Sequence, residues 1–265
     1  MRLTTLLMAL FLLLTACSGN ENQTTKNSEQ QLEETTENIQ NNKESGEEDK
    51  VKKISEEEKL IQNLPKEAHL EDWNLILVNP WVALPAEFEP QLVEVDNDQQ
   101  IDERIVDAWN SWKEAALEAG HHLFLASGHR TVERQSNNFD QQVNEYLNEG
   151  LSEEEAIERA KEYLTEPGHS EHHTGLAIDV VDEEWIMEGH GLAPEYDTQA
   201  SQQWLVETMA DFGFILRYPK EKEEITGIEY ESWHFRYVGE ENAKFITEND
   251  LTLEEYIELL QLRDD

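Results

Sequence analysis

The sequence predicts an α+β fold, a small and mostly antiparallel sheet flanked by helices. Two observations carry that class. Apolar residues recur at helical spacing through a long early stretch, from Ile101 to Ala119, and the strand-like runs gather later, at 176–181, 214–216 and 233–238. Helices first and strands afterwards favour this class over a regular βαβ alternation. No internal repeat is present.

The elements follow in chain order. Met1 to Cys17 reads as a processing segment: Arg2 gives the positive end, Leu6–Leu14 is a short apolar run, and Leu14-Thr15-Ala16-Cys17 follows. The run is too short for a span of about 20 residues and fits a secretory signal. Its ending resembles the lipobox of bacterial lipoproteins, which implies that Cys17 is lipidated and becomes the first residue of the mature chain. Cys17 is the sole cysteine, so a disulfide framework is ruled out and an anchoring role suits it. Residues 18–60 are rich in Glu, Asn, Gln, Thr and Lys and hold too few large apolar side chains to offset ordering entropy, so a disordered acidic tether is expected. A short helix near Ile54–Leu64 is compatible with the spacing of Ile54, Leu60, Ile61 and Leu64. The folded domain is assigned to 61–265.

Within it, Leu75–Val78 is a short apolar run closed by Asn79-Pro80, a buried strand or extended segment. Pro85 and Pro90 keep the next stretch irregular, and Gln91–Val95 extends again. Ile101, Ile105, Ala108, Trp109, Trp112, Ala115, Ala116 and Ala119 form an amphipathic pattern stopped by Gly120, with Trp109 and Trp112 assigned to the core. His122–Ala126 reads as a strand leading into Ser127-Gly128-His129-Arg130. Helices are expected over Val132–Leu147 and, from the capping box Ser152-Glu153-Glu154-Glu155, to about Leu164. Leu176–Val181 is β-prone and carries Asp179. A helix over Ser201–Phe212 stops at Gly213, Phe214–Leu216 and Trp233–Val238 are strands, and Leu253–Leu262 closes the chain as a helix.

Chemistry concentrates in two stretches. Two histidines and a carboxylate, His172, Asp179 and His234, make a plausible zinc set, since magnesium prefers oxygen ligands alone. Gly175 permits a turn between the first two, and His234 arrives from a separate strand. Glu231 stands three residues before His234, where a bend must intervene if both line one site; a carboxylate there can act as the base for an attacking water. His-x6-Asp also arises by chance, and lone histidines are usually surface or satisfied core residues, so spacing alone favours that reading over a metal site. The net charge of −39, from 59 acidic against 20 basic residues, makes a nucleic-acid partner improbable and reads chiefly as a solvated acidic surface and tail.

Ser170-x-His172-x-x-Gly175-x-Ala177-x-Asp179, with Glu231-x-x-His234 downstream, resembles the zinc signature of the VanY-like D-alanyl-D-alanine carboxypeptidases, a family that includes L,D-carboxypeptidases of peptidoglycan. The likeness runs in order from Leu75–Asn79 through Ser127–Arg130 and Gly213–Pro219 to Trp233–Gly239, nearly the whole folded domain. The resemblance implies Zn²⁺ held by His172, Asp179 and His234, Glu231 as catalytic base, and Arg130 holding the terminal carboxylate of a peptidoglycan stem peptide ending in D-alanine. It places Ser127 and Gln135 in the substrate pocket and has Ser170 shaping the ligand loop or bonding substrate; Trp233, by its place between Glu231 and His234, faces the core or the substrate. The chain departs from the family at His129 and His169, where tyrosine is common, at His173 for glutamine and at Ser232 for proline. These leave the ligands and base intact and bear on pocket shape.

The expected protein is therefore an extracytoplasmic, lipid-anchored zinc carboxypeptidase, a monomer, removing C-terminal D-alanine. Its rivals are L,D-carboxypeptidase or endopeptidase action on the same peptides, and a non-catalytic cell-wall-binding lipoprotein. His173 is a possible competitor for the metal and His129 a possible substrate contact; His69, His121 and His190 are read as exposed or loop residues. Arg217 and Arg236 are read equally as structural ion-pair partners or substrate contacts.

Overall fold

The structure, a computed structural model, describes residues 56–264. The signal segment, the lipidation site Cys17 and the tether as far as residue 55 lie outside the described residues. Residues 56–63 are helical (α1). A two-stranded antiparallel ladder follows, β1 (Leu92–Glu94) with β2 (Gln100–Asp102), and then α2 (Val106–Glu118), β3 (Leu123–Ser127), α3 (Val132–Asn148) and α4 (Glu153–Lys161). The second half holds β4 (Ala177–Asp182), α5 (Glu183–Met187), α6 (Ala200–Thr208), β5 (Phe214–Leu216), α7 (Glu223–Thr226), β6 (His234–Tyr237), α8 (Glu240–Glu248) and α9 (Leu253–Asp264). The main sheet is antiparallel throughout, in the order β3-β4-β6-β5. The α+β class with a small antiparallel sheet is what the sequence predicts.

Strand alternation divides the sheet into two faces of different chemistry. Ile178, Val180, Phe214 and Phe235 point into an apolar cluster with Trp109 and Trp112 of α2. Trp112 stacks on Phe214 at 5.0 Å and meets Phe235 edge-on at 5.1 Å, which fixes how α2 lies on the sheet. The intervening residues occupy the other face. Asp179 sits directly across from Ser127 on one side and His234 on the other, and Arg236 lies across from Ala177 and Ile215. A second cluster, with Leu64, Leu75, Ile215, Val238, Phe245, Tyr256 and Leu260, packs the α8–α9 pair against the β5–β6 end.

Several boundaries differ from the sequence reading, each for a local reason. Ile101 belongs to β2, not to the first long helix. Asp102 takes the backbone N–H of Arg104 and its guanidinium at 2.7 Å, and the Asp102 N–H donates to the Gly175 carbonyl, so the chain stays extended until a 3-10 turn at Glu103–Ile105. The capping box at Ser152 and Glu155 forms, but α4 ends at Lys161 and residues 162–163 leave it as a turn. The helix expected over Ser201–Phe212 is α6 followed by a 3-10 turn at Met209–Phe212. Leu75–Val78 has no strand pairing; the carbonyls of Asn74 and Ile76 accept from Arg236 Nη2. Among the described residues no helix is long and apolar enough to cross a membrane.

Candidate metal centre and its cavity

His172, Asp179 and His234 converge, each offering a donor atom within 4.8 Å of the others. The sequence reaches this in three local steps. Glu171–Thr174 forms a 3-10 turn that ends on Gly175 in the left-handed region (φ 71°), which reverses the chain into β4 and sets His172 beside Asp179. Added Cβ atoms show how close the backbone runs here: one on Gly175 would lie 3.1 Å from Asp102 N. The Asp179–His234 cross-strand pair then supplies the second and third donors. Glu231 joins them because β6 begins only at His234; the preceding residues form a turn in which the His234 N–H reaches the Glu231 carbonyl at 3.4 Å.

All four side chains are buried. His172 Nε2 lies 3.2 Å from Asp179 Oδ2, His234 Nδ1 lies 3.0 Å from Asp179 Oδ1, and Glu231 Oε2 is 3.5 Å from the same His234 nitrogen. Each imidazole is oriented by its other nitrogen. His172 Nδ1–H donates to the Gly128 carbonyl at 2.7 Å, and His234 Nε2 meets Glu171 Oε2 at 3.2 Å. That leaves His172 Nε2 and His234 Nδ1 directed at the shared centre, the outer-partner arrangement of metal-binding histidines.

The donor set suits a zinc ion on an observation of this structure. Asp179 Oδ1 is buried and makes no hydrogen bond, despite lying 3.0 Å from His234 Nδ1. A carboxylate oxygen in that condition is costly without a cation. Two nitrogens and a carboxylate with a cavity alongside match the three-ligand, one-open-position pattern of catalytic zinc.

The electrostatics are divided in the same way. Burial holds the His172 ring down at about 4, with Arg130 acting in the same sense against Asp179. Burial also works against a charged His234, but its contacts with Asp179 and Glu171 raise it to about 9. Burial pushes the Glu231 carboxyl up to about 8, and the Asp179 and Glu171 charges add to that. Burial would raise Glu171 as well; Arg217 and Arg236 more than offset it and hold that carboxyl well below its usual range.

The cavity beside the centre is lined by Arg130, Gln135, Ser170, Tyr218, Glu231 and Trp233 as well as the three donors, with Tyr163 and Leu192 near its rim. Arg130 enters from the loop after β3. Its Nη1 donates to Gln135 Oε1 at 2.8 Å and Nη2 to Ser127 Oγ at 3.2 Å, and Gln135 is tied in turn to the Thr165 carbonyl at 2.6 Å. Arg130 Nε is buried and makes no hydrogen bond. Ser127 thus stands behind the guanidinium and is not among the lining residues, whereas Gln135 both supports Arg130 and lines the wall.

His173 and His169 take structural places. His173 Nδ1–H donates to the Arg130 carbonyl at 2.6 Å while Nε2 accepts from Gly168 N–H at 3.1 Å, so neither nitrogen is available to a metal. His169 Nδ1 binds the Asn79 carbonyl at 3.0 Å, and His129 does not line the cavity. Arg217 and Arg236 are ion-pair partners, both on Glu171. Glu171 itself, in contact with His234, carries no sequence signal beyond its place between Ser170 and His172; only its burial sets it apart.

Comparison with known proteins agrees with this geometry. The family model for VanY, described as D-alanyl-D-alanine carboxypeptidase, matches residues 98–240. A D-alanyl-D-alanine carboxypeptidase of Enterococcus faecalis is 36% identical over 201 residues, covering 76% of this chain and 72% of that protein. The carboxypeptidase YodJ of Bacillus subtilis, so named as putative, is 40% identical over 194 residues, covering 69% and 67%. Among solved structures, a vancomycin-resistance D,D-pentapeptidase VanY variant in complex with Zn(II) is 39% identical with a TM-score of 0.63, covering 70% of this chain and 99% of its own. VanYB in complex with D-alanine-D-alanine is 38% identical with a TM-score of 0.64, covering 71% and 98%. The LD-carboxypeptidase LdcB is 38% identical with a TM-score of 0.59, covering 70% and 86%. The matched span takes in the main sheet, the 3-10 turn bearing His172, and the turn that presents Glu231, and on that ground this chain belongs to the VanY D-alanyl-D-alanine carboxypeptidase family and is an enzyme of that carboxypeptidase type.

Proposed function

We propose that the protein is a zinc-dependent D-alanyl-D-alanine carboxypeptidase that removes the terminal D-alanine of peptidoglycan stem peptides, working as a monomer outside the cytoplasm on a lipid anchor at Cys17. The observation that carries the catalytic part is the meeting of His172, Asp179, His234, Glu231 and Arg130 around one cavity. The Zn(II) and D-alanine-D-alanine complexes of the two VanY relatives support the choice of metal and substrate. The export and anchor reading rests on the lipobox-like ending at Cys17.

His172, Asp179 and His234 would hold the metal, which when bound polarises a carbonyl and lowers the pKa of water toward about 7. Arg130 receives the substrate's terminal carboxylate. Its guanidinium is held by Gln135 and Ser127, so it meets the carboxylate already oriented. Arg130 Nη2 is 3.7 Å from Asp179 Oδ2, so a carboxylate bound there places the adjacent peptide bond beside the metal ligands. That proximity favours removal of a single terminal residue over cleavage within the chain. Glu231 takes the proton of the attacking water; its hydroxyl adds to the carbonyl carbon, the C–N bond breaks, and Glu231 delivers the proton to the departing amine. Trp233 and Tyr218 wall the cavity and exclude bulk water from the exchange.

The likeness to LdcB supports a second reading, L,D-carboxypeptidase action, because a carboxylate clamp at Arg130 serves either kind of terminus. Incubating purified protein with pentapeptide and tetrapeptide stems, side by side and with zinc content measured, separates the two. The first reading expects D-alanine release from pentapeptide; preferential trimming of tetrapeptide reverses the specificity. Glu231→Gln is expected to retain one zinc per chain while turnover falls about 10²- to 10⁴-fold, the range for a general acid–base group. Turnover that survives this change removes Glu231 from the base role, and a wild-type protein without turnover on either peptide favours the binding-lipoprotein reading.

A further inference from the structure

The metal-binding face of the sheet holds a second set of buried charges that the cleavage scheme does not use. Glu171 lies at its centre, 1% exposed. Its Oε1 accepts from Arg217 Nε at 2.8 Å and Arg236 Nη1 at 2.7 Å, and its Oε2 meets His234 Nε2 at 3.2 Å. Arg217 turns its other two nitrogens to Glu254 on α9, at 2.9 and 2.5 Å. Arg236 spends its remaining donors on the carbonyls of Asn74, Ile76 and Tyr237. The two arginines and two glutamates balance in charge.

We propose that Glu171 is the positioning residue of the metal centre: its carboxylate fixes the orientation and tautomer of His234, and Arg217 and Arg236, with Glu254 behind Arg217, hold that carboxylate in place. This deepens the metal-centre reading above and rests on it. The two nitrogens of an imidazole are interchangeable until a neighbour selects one. His172 gives its Nδ1–H to a carbonyl and presents Nε2; His234 does the reverse, with Nε2 on Glu171 and Nδ1 toward Asp179 and Glu231. If His234 instead presented Nε2, its donor atom would leave the Asp179 oxygen that now faces it.

A purely structural ion pair would need Glu171 Oε1 alone, where both guanidiniums bind. Oε2 is directed to His234, and with both oxygens engaged Glu171 is not itself a free ligand or a base. Balanced charge matters for the same reason. A lone carboxylate this deep would add its field to those of Asp179 and Glu231, whereas the guanidinium pair lets Glu171 bind the ring N–H with little surplus negative charge. The arrangement also joins the centre to the C-terminal helix, because Glu254 lies on α9 and its Oε1 also accepts from Asn79.

The test measures zinc affinity by competition with a chromophoric chelator, alongside thermal melting of the metal-free protein. Glu171→Gln keeps the side-chain shape and removes the charge; zinc affinity should fall about 10- to 100-fold, the usual cost of losing an outer partner. Tyr256→Phe removes a buried α9 hydrogen bond, to Asn242 Oδ1 at 2.7 Å, that has no part in the Glu171 network, and should lower the melting temperature while leaving zinc affinity unchanged. Equal zinc affinity in Glu171→Gln and wild type, or losses in both variants that merely track their melting, overturns the positioning role. Should Glu171→Gln fail to fold, the zinc-loaded wild type still decides: ¹⁵N-histidine NMR should show His234 ligated through Nδ1 with an exchange-protected Nε2–H, and ligation through Nε2 refutes the proposal. A wild type that takes up no zinc refutes the metal-centre reading itself, an outcome distinct from zinc binding that is indifferent to Glu171.

Discussion

His234 and His172 lie in one pocket and hold protons differently. His234, raised to about 9 by its carboxylate contacts, is cationic at neutral pH in the metal-free protein, while burial keeps His172, at about 4, neutral. A metal requires the lone pair of each ring, so loading must expel the His234 proton. Glu231, at about 8, gives up a second proton when a cation arrives beside it. The sign follows: below about pH 8 protons compete with the metal, so apparent zinc affinity should rise from pH 6 to 8, about tenfold per unit for each proton released, and level off above about 9. Chelator competition across that range measures the slope. A flat profile would mean that His234 is already neutral before the metal binds. The candidate ligands and Glu231 stand out in the sequence because Ser170–Asp179 and Glu231–His234 resemble a family's zinc signature; their spacing alone does not separate them from chance. Glu171 does not stand out, because one glutamate among 59 acidic residues has no distinguishing mark until its burial between two arginines is known.

The turn from the 3-10 segment into β4 sets the geometry of the centre more than any single ligand does. Gly175 holds φ at 71°, and a Cβ there would sit 3.1 Å from Asp102 N and from the Leu92 side chain, both fixed by the β1–β2 ladder. Gly175→Ala should therefore cost about 1–2 kcal/mol for the left-handed backbone alone, with more from the contact, and should shift His172 away from Asp179. Thermal melting reads the first effect and zinc stoichiometry the second; an alanine variant with wild-type melting and full zinc uptake would show that the turn tolerates a side chain. Gly175 is visible in the sequence as a permitted turn, but its packing partner is not. The β1–β2 ladder that it abuts is short, and Ile101 fits the helical pattern of the residues after it, so periodicity alone assigns it to the wrong element. The helices α5 and α7 are of five and four residues, too short to show a repeat, and α8 takes its stability from packing Phe245 and Ile246 against α9. The long amphipathic α2 and the apolar β4, which bury one face against a large core, are the elements a sequence declares.

At the scale of the whole molecule, the charge of −39 opposes folding, because a compact chain brings its like charges together. Salt acts on two populations of charge in opposite senses. It weakens repulsion among exposed acids, such as those of α3 and α4, and it weakens attraction within ion pairs. The pairs that matter most, Arg217 and Arg236 on Glu171, have side chains that are 0% exposed and are screened little. Exposed pairs such as Lys161 with Glu158 and Glu166 contribute little to begin with. Repulsion is therefore the term that salt removes. Raising sodium chloride from about 10 to 150 mM shortens the screening length from about 30 to 8 Å and should raise the melting temperature by several degrees, since about 1 kcal/mol moves a domain of this size by about 2–4 °C. Calorimetry on the zinc-loaded protein, with the metal concentration held fixed, gives the answer. A melting temperature that falls with salt would place the balance in surface attraction, and the buried arginine–glutamate network would then not be the dominant electrostatic support of the fold.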